Sequence, residues 1–133
     1  MSDPFMEHPT GAFETAIHAM DDAVRRLREL PEWNRWITFC AQGEGLVRGR
    51  TAFAEVRMMG GQIDLGHEKL KLAKLLPMVG LSPSAVVLNG SILSVGAISS
   101  REVAELMDAI FRHHFGIRPF PDEDNDYAVG AEW

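Results

Sequence analysis

Apolar residues recur at spacings of three and four near the start of the chain. Phe13, Ala16, Ile17, Met20, Val24 and Leu27 make one stripe, which predicts an amphipathic helix from about Ala12 to Leu30. Thr10 is its expected N-cap, Arg25, Arg26 and Arg28 suit the negative end of its dipole, and Pro31 stops it. The period then shortens. Arg35 to Ala41 is dense in aromatic and β-branched residues and reads as a strand, with Gln42 to Gly45 as a loop. Thr51 to Met58 and Gln62 to Leu65 read as two further strands, with Gly60-Gly61 as the tight turn between them. A second helix is expected from near His67 to Leu76. Leu70, Ala73 and Leu76 point inward in it, Lys69, Lys71 and Lys74 point to solvent, and Pro77 closes it.

Two apolar runs, Ala85 to Leu88 and Ser91 to Val95, flank Asn89-Gly90, the preferred pair for a type I′ hairpin. Ser99-Ser100-Arg101-Glu102 has the spacing of a capping box, with Ser99 as N-cap. It opens a helix to about Phe115 on a stripe of Val103, Leu106, Met107, Ile110 and Phe111, and Gly116 is its natural stop. The expected class is α+β: one antiparallel, five-stranded meandering sheet with helices on one face, in the order α-β-β-β-α-β-β-α. Residues 1–116 form the expected domain. Residues 117–133 form an acidic, aromatic-anchored tail that packs on it or on a partner subunit.

Composition narrows the class without naming a function. With 46% hydrophobic and 24% charged residues, the 133-residue chain has enough apolar surface to offset the entropy of ordering. No run approaches the roughly 20 apolar residues of a membrane span, and Met1 to Phe5 lacks the basic start of a secretory signal. A single cysteine, Cys40, excludes an intramolecular disulfide, so a cytoplasmic address is expected. The net charge of −6 argues against nucleic acid as the main partner. The charge is uneven. Beyond Gly116, Arg118 alone stands against Asp122, Glu123, Asp124, Asp126 and Glu132. Between Trp33 and Gly80, Arg35, Arg48, Arg50, Arg57, Lys69, Lys71 and Lys74 outnumber Glu44, Glu55, Asp64 and Glu68.

In element order, size and acidity, the stretch from Ala12 to Phe115 resembles the class I type III secretion chaperones and the small bacterial proteins that share their fold. That resemblance implies a homodimer that binds extended polypeptide segments. The tail, with Pro119-Phe120-Pro121 and Trp133, lies outside the pattern.

No catalytic constellation stands out. Cys40 lies mid-strand, in phase with Trp36 and Thr38, with no basic neighbour to favour its thiolate, so a structural thiol is expected rather than a nucleophile. His113 and His114, followed by the tail carboxylates, are weak candidates for a metal. Adjacent helical residues diverge by about 100°, which sets the two rings apart. Asp122 to Asp126 fails the calcium-loop pattern, because Tyr127 and Trp133 fall where glycine and glutamate are needed. The glycines at 43, 45, 60 and 61 carry no phosphate-loop spacing, and Ser91 and Ser94 no nucleophile elbow.

The expected function is therefore a non-catalytic protein-binding module of chaperone, adaptor or toxin-neutralising type, without a cofactor. It would act as a homodimer and take a basic or extended polypeptide, with neither nucleic acid nor membrane as partner. Trp33, Trp36, Phe53 and Trp133 are the expected contacts, with Asp122, Glu123, Asp124 and Asp126 as electrostatic contributors. The competing reading is a small-molecule or metal-binding enzyme or sensor, with its site between sheet and tail at His113 and His114.

Overall fold

The computed structural model describes residues 15–29, 36–47, 50–66, 68–119 and 126–132. Helix α1 (Ala16–Glu29) buries Ala16, Met20, Val24 and Leu27 of the expected stripe together with Ala19 and Ala23, while Ile17 is half-buried and Phe13 lies outside the described residues. Its N-cap is Thr15, whose Oγ1 accepts the His18 N–H at 3.1 Å. Thr10 and Pro31 lie outside the described residues.

Strand β1 (Trp36–Glu44) runs three residues beyond Ala41, so the expected loop at Gln42 begins only after Glu44. The extension has a cause. Glu44 exchanges backbone hydrogen bonds with Arg118 at 2.7 and 2.9 Å, and β1 pairs in register with β2 (Thr51–Met59) along its whole length. Strand β3 (Gln62–Asp64) follows through Gly60-Gly61.

Helix α2 (Leu72–Met78) starts five residues later than expected and carries Pro77 inside its last turn. Its buried pair is Leu75 and Leu76; of the expected inward set Leu76 is buried and Leu70, just before the helix, packs partly against the core, while Ala73 is exposed. Proline is tolerated there because the helix ends at once: Gly80, at φ 70°, turns the chain and the Leu81 N–H returns to the Leu76 carbonyl at 3.0 Å.

Strands β4 (Val87–Asn89) and β5 (Ile92–Ser94) form the expected hairpin with its turn displaced by one residue. Asn89 pairs with Ile92, so the two loop residues are Gly90 and Ser91. Gly90 has φ 63° and Ser91 is not in the positive region, the pattern of a type II′ turn rather than I′. Helix α3 (Ser100–Ala109) begins with the expected capping box: Ser99 Oγ accepts the Glu102 N–H at 3.1 Å, and Glu102 Oε1 accepts the Ser99 N–H at 3.0 Å. The helix then widens into a π-helical turn, Ile110–His114, in which the Phe115 N–H reaches the Ile110 carbonyl.

The last strand, β6 (Ala128–Glu132), makes the sheet six-stranded rather than five-stranded. The order across the sheet is β4-β5-β3-β2-β1-β6, every pairing antiparallel. It is not a simple meander, because the β4–β5 hairpin joins through β5 to β3, and the last strand returns to the first. One side of the sheet is buried: Ile37, Phe39 and Ala41, then Val56 and Met58, Ile63, Leu93, and Val129 and Ala131. These share one core with Met20, Val24 and Leu27 of α1 and with Val103, Leu106 and Met107 of α3. No helix among the described residues is long and apolar enough to cross a membrane.

Candidate functional site

Pleating sends the alternate residues of each strand to the other face, and there the sheet is open among the described residues. Trp36 lies beside Met59, Thr38 beside Arg57, Cys40 beside Glu55 and Gln42 beside Phe53. On the flanks, Asp64 lies beside Arg57, and Glu132 beside Thr38. Phe53 is 60% exposed and Trp36 37%. The six residues from Phe53 to Met59 set the two aromatics about 20 Å apart along the strands. Between them the surface is charged. The Arg57 guanidinium sits 4.3 Å over the Trp36 ring, and the register sets Glu55, Asp64 and Glu132 on the same face near it, three acids to one base. Cys40 is half-buried in the middle of this face, and burial, then Glu55 and Glu132, push its thiol up to about 11. At neutral pH it is a protonated thiol and a poor nucleophile.

Of the expected contact residues, Trp36 and Phe53 share this face, at opposite ends of it. Trp33, Asp122, Glu123, Asp124 and Trp133 lie outside the described residues. Asp126 lies elsewhere, in an internal cluster. Its Oδ1 pairs with Arg112 Nη2 and accepts the Tyr127 N–H at 2.9 Å, and its Oδ2 accepts the Ala16 N–H at 3.4 Å. Arg112 Nε also donates to Asp108 Oδ1 at 2.9 Å, and the Tyr127 hydroxyl donates to the same oxygen at 2.8 Å. Tyr127 is fully buried, edge-on to Phe111 at 6.1 Å. Burial opposes the charge on Arg112, but the two carboxylates outweigh it and hold the guanidinium protonated. The cluster is a clasp that fixes the start of β6 against α1 and α3. Sequence reading missed it because its members are separated by up to 110 positions.

His113 and His114 face α2 rather than the segment carrying Asp126. His114 Nε2 lies 3.0 Å from Glu68 Oε2, and both imidazoles line a groove with Lys71, Lys74, Leu75 and Met78. Among the described residues, no group of three or more His, Cys, Asp or Glu side chains is placed to hold a metal ion.

The fold is thus a one-sided α+β sandwich, a six-stranded antiparallel sheet with α1 and α3 packed into its core. No protein-family model, curated protein or solved structure matches the chain.

Proposed function

We propose that the chain is a non-catalytic polypeptide-binding module that works as a homodimer. Its open sheet face would take an extended segment bearing basic side chains between two large apolar ones. One observation carries this reading: the face left open among the described residues has an aromatic at each end and an excess of carboxylate between them. Exposed aromatics are the residues most often central to binding energy, and an acidic strip between them favours a cationic partner. A six-residue interval matches an extended peptide lying along β2. The resemblance in element order to dimeric secretion chaperones supports the dimer.

The test uses synthetic peptides with lysines and arginines between apolar residues six positions apart, followed by fluorescence anisotropy. Wild-type protein is expected to bind them, more weakly as salt rises, and to ignore a version with glutamates in place of the basic residues. Trp36→Ala combined with Phe53→Ala should weaken binding at least tenfold, because each truncation of such an anchor costs on the order of 1 kcal/mol or more. Equal binding by the double variant overturns this surface. Light scattering should give twice the 14.8 kDa chain mass, and a monomer at every concentration overturns the dimer.

A further inference from the structure

A second feature lies on the opposite side of the core, between α2 and the π-helical turn. A groove of about 270 Å³ is lined by Lys71, Lys74, Leu75, Met78, His113 and His114. Four of these six side chains end in nitrogen and none in a carboxylate. In a chain of net charge −6 this is a local reversal of sign. Lys71 and Lys74 are exposed and have no ion-pair partner among the described residues. Glu68 is engaged by His114 at 3.0 Å, which fixes that ring beside the groove. The wall is apolar: Leu75 is buried, and Met78 is 55% exposed although thioethers ordinarily pack inward.

The backbone gives a reason why two consecutive histidines reach one groove. A regular helix would continue from α3 through this stretch, but the chain widens by one residue over Ile110–His114 and then turns at Gly116, φ 71°. Such π-turns interrupt otherwise regular helices at a cost in hydrogen-bond geometry and concentrate at functional sites. Here the widened turn carries His113 and His114 onto α2, alongside the two lysines.

We infer that this groove is a binding site for a small organic anion, with the charged head among Lys71, Lys74, His113 and His114 and an apolar body against Leu75 and Met78. Ammonium and imidazole donors suit a phosphate or a carboxylate alike, as charge-assisted hydrogen bonds do. The volume lies just under that of ordinary ligand pockets and has room for a body of one aromatic ring.

The experiment is a titration of the isotope-labelled full chain by NMR, reading the Met78 methyl and the His113 and His114 ring signals. Phenyl phosphate, benzoate and inorganic phosphate are the probes. Saturable shifts confined to the groove are expected with phenyl phosphate, with benzoate, or with both, whereas inorganic phosphate, lacking the ring, binds several-fold more weakly. Lys71→Gln with Lys74→Gln, both at exposed positions that the fold does not need, should weaken the better probe about tenfold. The inference is overturned if no probe gives a saturable shift, or if signals drift all over the surface without saturation. It is overturned equally if the double variant binds as wild type does.

Discussion

At Gly43 the chain has no room for a side chain. A Cβ there would stand 2.2 Å from the Arg118 carbonyl oxygen, 2.9 Å from Tyr127 Cβ and 3.0 Å from Ile117 Cγ2. The closest of these is backbone, held in place by the paired hydrogen bonds between Glu44 and Arg118. Gly43→Ala must therefore push the crossing segment off β1, and it is expected to cost about 3 kcal/mol, at the upper end for overpacking. Thermal unfolding measures this directly, and a change below about 1 kcal/mol would show that the segment moves aside freely. In the sequence the same glycine reads as part of a loop, because Gln42-Gly43-Glu44-Gly45 has turn composition and its partner, Arg118, is 75 positions away. A strand glycine that admits another backbone looks like a turn glycine until that backbone is seen.

Among the elements, those governed by local chemistry were legible and those set by distant contacts were not. The α1 stripe and the Ser99–Glu102 box both stand where the sequence places them, since each is decided within a few residues. Helix α1 begins at Ala16, after Thr15, and α2 at Leu72. In and just before α2 the apolar positions Leu70, Leu72, Leu75 and Leu76 admit more than one inward face; Leu75 and Leu76 are buried, and Leu70 and Leu72 pack partly against the core. Strand β6 was hidden as an acidic tail, although Tyr127, Val129 and Ala131 alternate with a strand's period of two. The hairpin at Gly90 shows how little a turn dipeptide fixes: the same Asn-Gly supports a turn at 89–90 or at 90–91, and Leu88 pairs with Leu93 rather than Ser91. For α3 the capping box sets the boundary, and hydrogen bonding to Ser99 holds the Glu102 carboxyl below the usual glutamate range. Ser99→Ala should cost about 1 kcal/mol, read from denaturant unfolding with the slope unchanged. A neutral result would mean that packing of Val103 and Leu106 alone defines where α3 begins.

For the whole molecule, the single tyrosine is a reporter of integrity. Burial, then the carboxylate of Asp108 and that of Asp126, raise the Tyr127 phenol far above its ordinary value, with Arg112 opposing. The phenol of the folded protein therefore keeps its proton where an unfolded chain would lose it. Its stabilising share is complete below the unfolded value of about 10 and declines as pH rises beyond it. In an alkaline titration, phenolate absorbance is expected to appear in one step together with the loss of helical circular dichroism. A separate ionisation near pH 10 with the helices intact would show that the clasp opens on its own. The open sheet face could be read only in part from sequence. Trp36 and Phe53 stand out as aromatics in strands, but which side of the sheet is open among the described residues depends on where all six strands fall. The pairing of β6 with β1 also orders events in time. On a ribosome, β1 and β2 can pair early, yet β1 keeps a raw edge until residues 128–132 emerge, some 85 positions after β1 has been made. During that interval the growing chain exposes unpaired backbone donors and acceptors, the kind of template on which neighbouring nascent chains aggregate.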